Sequence, residues 1–314
     1  MEFNKEEYIW AQRYRPLTID ECILPDRIKS HVKQIVSNKE IPHFMFYAGA
    51  GSGKTTLARA IANELDCDLL YINASLEGNI DTLRTKIQQF ASTVSMHGGI
   101  KIVLLDEADY LTSSVQPALR GFLETFSKNC RFILTCNFKN RIIEPLHSRC
   151  TLVDFKIDAK EKSAIAGTFF KRICEILKNE NVEFDKKVVA EVITKFFPDF
   201  RKTLNELQRY ATGGVIDSGL LVNSSDENYR ELLVALKEKK FNDMRKWVSV
   251  NSDISAEQLF DKIYTMSSEY LVASSIPQVI LILADYQYKA AFVVNQELNT
   301  IAALTEIMGG AEFK

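Results

Sequence analysis

The sequence predicts an α/β fold built on a parallel sheet, followed by segments that are helical only. Three observations carry that expectation. Five short apolar runs alternate with stretches of helical periodicity up to residue 155. A glycine-rich turn separates the first of those runs from the helical stretch after it. Beyond residue 155 the strand signal fades, while helical spacing continues to the end of the chain.

The strand candidates are HFMFY (43–47), DLLYI (68–72), KIVLL (101–105), RFILT (131–135) and TLVDF (151–155). Each is short and mostly apolar, as expected of strands covered on both faces. Helical patterns fill 27–38, 54–65, 80–95 and 115–127. Strand, helix, strand in repetition implies parallel pairing through right-handed crossovers. Further on, 159–178, 186–196 and 200–212 place apolar side chains at helical spacing. TGGVIDSG (212–219) is a breaker-rich joint. From about Glu227 the pattern is helical again, closing with long apolar stretches at 276–294 and 296–308. The expected domains are 1–155 (α/β), 156–222 (small, helical) and 223–314 (larger, helical), with no internal repeat.

Composition excludes several classes. The 314 residues suit two or three domains, and 46% apolar residues are enough to fill their cores. A formal net charge of -2 does not announce a strongly basic nucleic-acid binder, although a local basic strip repeated in an oligomer stays open. The six cysteines form no C-x-x-C pair, which encodes neither a zinc ribbon nor a disulfide framework. Reduced thiols in a cytoplasmic setting are expected. The charged start, MEFNKEEY, lacks an apolar signal core. Asp285, Lys289 and Glu297 interrupt the apolar tail, which is expected to form buried helices rather than a membrane span. His43, His97 and His147 have no metal-ligand spacing and are expected to be structural.

The stretch Ala48-Gly49-Ala50-Gly51-Ser52-Gly53-Lys54-Thr55 follows a strand candidate and opens a helix. Backbone N–H groups that converge on a polyphosphate leave no room for bulky side chains, and the helix N-terminus adds partial positive charge. In such a loop Lys54 reaches the β- and γ-phosphates, the Thr55 hydroxyl ligates Mg²⁺, and Thr56 lies near the α- or β-phosphate. Ala48 stands where the strict pattern has glycine. That position is at the strand exit, outside the amide cradle.

The third strand candidate ends in Asp106-Glu107, within Asp-Glu-Ala-Asp (106–109). Asp106 is expected in the magnesium shell and Glu107 beside the attacking water. Adjacent strand residues point to opposite faces, so the chain is expected to turn at Asp106. The fourth ends Thr135-Cys136-Asn137, where an amide at a strand tip can sense the γ-phosphate.

Together these residues resemble an AAA+ ATPase, and more closely its clamp-loader branch: replication factor C subunits and, above all, the large subunits of T4-type phage loaders. Gln12-Arg13-Tyr14-Arg15-Pro16, AGAGSGKTT, LLDEAD, TCN, Ser148-Arg149-Cys150 and Phe197-Pro198-Asp199-Phe200-Arg201-Lys202 carry the resemblance over nearly the whole chain. It implies an AAA+ parallel-sheet ATPase domain, a helical lid and an all-α collar that oligomerises. It implies that Ala11, Gln12, Arg13, Tyr14, Arg15 and Ile23 wrap the adenine and ribose of ATP. Arg201 would sense the γ-phosphate from the lid, the alternative being a surface helix residue, and Arg149 would reach into the site of the neighbouring subunit, the alternative being a salt-bridged arginine at a strand entrance. Primer–template DNA would pass along helices whose first turns include Asn79, Arg84 and Lys86. The alternative for these three is the charged outer face of an amphipathic helix. The helix near 113–123, capped at Ser113 or Ser114 with Pro117 in its first turn, would offer an apolar patch to a sliding clamp. On that helix Gln116 and Arg120 either couple the site to a neighbour or face solvent. Partners would be the clamp, copies of the chain and a distinct subunit, in the cytoplasm of a host cell.

Two other readings stay open. One is a different remodeller, such as a helicase loader or an unfoldase, although the loop Ser95-Met96-His97-Gly98-Gly99 lacks the aromatic that threading pores use. The other is an ATP-binding scaffold without turnover, against which Lys54, Asp106, Glu107 and Arg149 argue together.

Overall fold

The computed structural model describes residues 7–38, 41–77, 79–95, 99–216, 225–251 and 254–314. It divides into two compact units, Met1–Asp217 and Ser218–Lys314. The boundary expected at 222/223, and part of the 212–219 joint, fall outside the described residues.

The first unit is built on five parallel strands: β1 (Phe44–Tyr47), β2 (Leu69–Asn73), β3 (Lys101–Asp106), β4 (Cys130–Cys136) and β5 (Thr151–Asp154), in the order β2-β3-β4-β1-β5. All five strands match the apolar runs to within a residue or two. β1, β3 and β4 are the most apolar and the most central. The sheet's two faces explain why. On one face Phe44, Phe46, Ile102, Leu104 and Ile133 pack against α2 (Asp26–Ser37) and α3 (Lys54–Glu64). On the other, Met45, Val103, Leu105, Phe132 and Leu134 pack against α5 (Ile80–Ser92) and α6 (Gln116–Thr125).

The strand order reverses direction around β1, whose neighbours are β4 and β5. Tyr47 is level with Cys136 and Asn73 is level with Asp106. The loop after β1, the end of β3 and the end of β4 therefore open into one crevice at the carboxyl edge of the sheet, where α/β sheets hold ligands.

Single-turn helices α1 (Trp10–Arg13), α4 (Ala74–Glu77) and α7 (Glu144–His147) lie in the connections, and after β5 the unit continues with α8 (Ala159–Asn179), α9 (Lys186–Phe196) and α10 (Phe200–Ala211), at nearly the expected bounds. A capping box of Asp158 and Glu161 starts α8; Asp185 and Asp199 cap the other two. The two-residue strands Glu183–Phe184 and Val215–Ile216 pair in parallel, which periodicity gave no sign of.

Among the described residues the second unit has helices Ser225–Lys237, Phe241–Val250, Ala256–Tyr270, Ile276–Ala290 and Gln296–Gly310 around a core that includes Leu232, Leu236, Met244, Phe260, Val279 and Leu304. The expectation that the last two helices are buried needs correction. One face of each is, but Leu281, Tyr288, Phe292 and Leu298 stand 65–72% exposed. No described helix is long and apolar enough to cross a membrane.

Candidate nucleotide site

Between β1 and α3, Gly51 (φ +69°) and Gly53 (φ +91°) adopt the left-handed conformation that glycine alone takes without strain. Gly51 meets a second demand. A Cβ there would lie 1.8 Å from Oδ1 of Asp199, the cap of α10. The Phe200 amide donates to the Gly51 carbonyl at 3.2 Å. The start of α10 thus sits directly on the loop.

Lys54, at the first position of α3, turns back into the loop. Its Nζ donates to the carbonyls of Ala48 (2.8 Å) and Gly49 (2.7 Å) and to Oδ1 of Asn137 (3.0 Å). Burial pushes its pKa below the ordinary lysine range, against the pull of Asp106 and Asp109. Ser52 closes the turn on the Gly49 carbonyl at 2.9 Å.

Asp106 ends β3 among three hydroxyls. Oδ1 accepts from Thr55 (2.6 Å) and Thr135 (2.5 Å), and Oδ2 accepts from Tyr71 (3.1 Å). A carboxylate and a hydroxyl this close supply the hard oxygen ligands a small divalent cation takes, so Thr55 and Asp106 fit Mg²⁺. The expected turn lies one residue later than Asp106: Glu107 itself is left-handed, at φ 56° and ψ 41°, and its amide donates to Thr135 Oγ1 at 3.1 Å. A non-glycine residue held there costs about 1–2 kcal/mol. That conformation lets adjacent carboxylates serve one chamber. Two residues on, buried Asp109 accepts from the amides of Asn137 (3.3 Å) and Phe138 (3.2 Å), fixing the sensor strand tip.

Two recesses adjoin the loop. The first, of 130 Å³, is lined by Ala11, Tyr14, Arg15 and Ile23, by Gly51 to Thr56, and by Phe169, Phe200 and Arg201 from the helices after the sheet. The second, of 430 Å³, is lined by Gln12, Arg15, Lys54, Thr55, Asp106, Glu107, Asn137 and Arg201. The electrostatics suit a polyanion. Arg15 is pushed below the ordinary arginine range by burial first, then by the charges of Arg59 and Arg201.

Most of the expected residues therefore converge. Arg13 does not line either recess: its Nη1 donates to Glu180 at 2.8 Å, and the Tyr14 hydroxyl donates to the same carboxylate at 2.5 Å. Trp10 and Tyr8 are likewise tied to Gln208 of α10. The N-terminal segment is thus stitched to α8 and α10. Arg149 lies outside both recesses. Its Nε and Nη2 contact Glu124 Oε1 at 2.8 and 2.6 Å, and Nη1 donates to the Pro145 carbonyl at 2.8 Å.

Elsewhere the structure gives the remaining expected residues these surroundings. Asn79 does cap α5, but its side chain accepts from the Asp81 amide at 3.0 Å, which removes that amide from any ligand. Lys86 is paired with Glu77 at 2.5 Å, while Arg84 is exposed. Neither Ser113 nor Ser114 caps α6, whose cap position is Val115. Val115 and Leu119 are buried, so the exposed apolar surface near the start of the helix is Pro117 and, before it, Tyr110, beside the polar Thr112, Ser113 and Ser114. Gln116 neither faces solvent nor reaches a neighbour. It is 2% exposed, donates to the carbonyls of Leu111 (3.0 Å) and Arg141 (2.9 Å), and accepts from the Ile143 amide (2.8 Å). Arg120 does face solvent, beside Glu124. Half-buried His43 accepts at Nδ1 from the Phe132 amide at 3.0 Å, a structural role. His97 lies outside the described residues.

Sequence reasoning missed Tyr71 and Glu180, and quoted Thr135 and Asp109 inside their motifs without giving either a contact.

Residues 161–222 match the family model for the sliding-clamp-loader large subunit AAA+ ATPase lid domain, and residues 44–158 match that of the ATPase family associated with various cellular activities. The chain is 39% identical over 248 residues to the sliding-clamp-loader large subunit of Escherichia phage RB69, and equally to that of Enterobacteria phage T4, covering 77% of each chain. It is 36% identical over 282 residues to the replication factor C small subunit of Archaeoglobus fulgidus, covering 87% of this chain and 84% of that one. The solved structure of a Thermotoga maritima RuvB mutant superposes with a TM-score of 0.54 at 16% identity, over 79% of this chain and 85% of that one, a likeness of fold alone.

Proposed function

The chain belongs to the sliding-clamp-loader family of AAA+ ATPases, and from that membership we propose that it is the motor subunit of an assembly that loads a sliding clamp on primer–template DNA. The observation that carries this reading is the convergence of Lys54, Thr55, Asp106, Glu107, Asn137 and Arg201 on one polar chamber. ATP is the substrate. Its base enters the recess bounded by Ala11, Tyr14 and Ile23, and its phosphates meet the loop amides, Lys54, Arg15 and Arg201. Thr55 and Asp106 would hold Mg²⁺, which supplies positive charge between the phosphate oxygens. Glu107 polarises the attacking water, and Asn137 and Lys54 orient the γ-phosphate end of the chamber.

Arg149 acts in trans. It is surface-placed, outside its own chain's chamber, and held in a fixed geometry by Glu124 and Pro145. Presented to the γ-phosphate of a neighbouring copy, such a guanidinium is worth roughly 10³ to 10⁵ in rate. Hydrolysis would then require two copies side by side, with the exposed apolar face of the second unit as the surface through which copies and a distinct subunit assemble. Residues 1–155 are read as the nucleotide domain, 156–222 as its lid and 223–314 as the collar. ATP binding would grip clamp and DNA, and hydrolysis would release them.

The test is mixing. Lys54→Ala chains and Arg149→Ala chains are each expected to be inactive alone, and to recover turnover when co-assembled. Stimulation by primed DNA plus clamp, and not by an unfolded protein, separates clamp loading from unfolding. Co-assembled mutants with no recovery would overturn the shared site.

A further inference from the structure

Asp106 has a partner that the loop, strand-end and sensor motifs do not supply. Tyr71, on β2 one strand away, donates its hydroxyl to Oδ2 at 3.1 Å, the oxygen left over once Thr55 and Thr135 have taken Oδ1. The ring is itself held from above. The Arg59 guanidinium of α3 stacks on it at 4.7 Å, and both residues line the 430 Å³ chamber. Among the described residues Arg59 makes no ion pair, and its Nε is buried without a hydrogen-bond partner. Its placement is therefore set by the ring rather than by a counter-charge.

We propose that Tyr71, steadied by Arg59, is a positioning residue that orients the Asp106 carboxylate and thereby sets the divalent-cation affinity of the site. A carboxylate pinned through one oxygen only can rotate about its Cβ–Cγ bond. Hydroxyls on both oxygens fix its plane before the metal arrives. Outer-shell partners of this kind change metal affinity by about 10- to 100-fold when removed. The proposal rests on Asp106 being a metal ligand, as read above.

The experiment uses the full chain and two cations. Binding of a fluorescent ATP analogue is titrated without divalent cation and then against Mg²⁺, and Mn²⁺ binding is followed by electron paramagnetic resonance. Tyr71→Phe keeps the ring under Arg59 and deletes the hydroxyl. It is expected to leave cation-free nucleotide affinity within about twofold while raising half-saturating Mg²⁺ and Mn²⁺ about 10-fold. Arg59→Met is expected to move the same readout in the same direction by less, and carries the test should Tyr71→Phe melt early. An unchanged cation requirement in both variants would overturn the proposal. So would an equal loss of cation-free nucleotide binding, since the hydroxyl would then act on the nucleotide. Asp106→Asn serves as the separate arm: if it leaves the cation requirement intact, the metal-ligand reading itself fails, whatever Tyr71 does.

Discussion

The ammonium of Lys54 lies 3.0 Å from the side-chain oxygen of Asn137. One residue opens the helix after β1 and the other ends the adjacent strand β4, so the contact exists only because those strands are neighbours. It also holds the Asn137 amide beside the loop, where the γ-phosphate lies in the function proposed above. With Asn137 as a charge-assisted partner, Asn137→Ala should lower kcat by about 10-fold or more, since such bonds are worth ~1.5–3 kcal/mol. Nucleotide affinity should change little, because the loop amides remain. Steady-state turnover beside an equilibrium nucleotide titration distinguishes the two effects.

Glu107 combines function with strain. Glu107→Gln should retain ATP binding and lose turnover. Glu107→Gly should also be inactive, yet raise the stability of the first unit by up to about 1 kcal/mol, because glycine takes φ 56° without the steric penalty. Paired thermal melts and phosphate-release assays check this. A Gly variant melting below wild type would mean the left-handed turn carries no strain.

Gly51→Ala tests the contact between loop and lid. The new methyl would need the space of the Asp199 carboxylate and a left-handed backbone as well. Loss of nucleotide binding by more than 10-fold is expected, with destabilisation of about 1–2 kcal/mol from the backbone alone. Gly49→Ala, where a Cβ meets nothing within 4 Å, should be far milder.

The buried thiols give a pH prediction. Burial pushes Cys22, Cys136 and Cys150 up to about 12 from an ordinary value of 9.0. At pH 8 their thiolate fraction is then ~10⁻⁴, so alkylation should mark Cys67 and Cys174 first and spare these three until the chain unfolds. Mass spectrometry after brief treatment reads the order. The sign of the linked stability follows: an acid raised on folding stabilises fully below pH 9.0 and loses that contribution as pH climbs towards 12. Urea midpoints should therefore fall between pH 8 and pH 11.

Much of the fold was legible because its signals are local. Both-face burial makes central strands apolar from end to end, so β1, β3 and β4 announced themselves. Apolar positions at helical spacing marked the helices after the sheet, while their caps, Asp158, Asp185 and Asp199, came from the structure. The phosphate loop was legible because amide convergence demands glycine. Gln116 was misread because a polar side chain at helical spacing looks the same whether it meets water or three backbone groups. At the start of that helix Val115 and Leu119 could not be told from an exposed apolar patch for the converse reason: they are apolar because they face the sheet.

By itself the sequence determined which residues could do the chemistry: a lysine and a hydroxyl in a glycine loop, two carboxylates at a strand end, an amide at the next. What surrounds them was decided by tertiary structure. Thr135 and Tyr71 on Asp106, Glu180 on Arg13 and Tyr14, Asp199 against Gly51 and Glu124 on Arg149 all join separate elements across the packed unit. Such contacts leave no period or spacing in the chain. A hydrogen bond depends on where strand order and helix packing deliver two atoms, and neither partner's identity encodes the other's position.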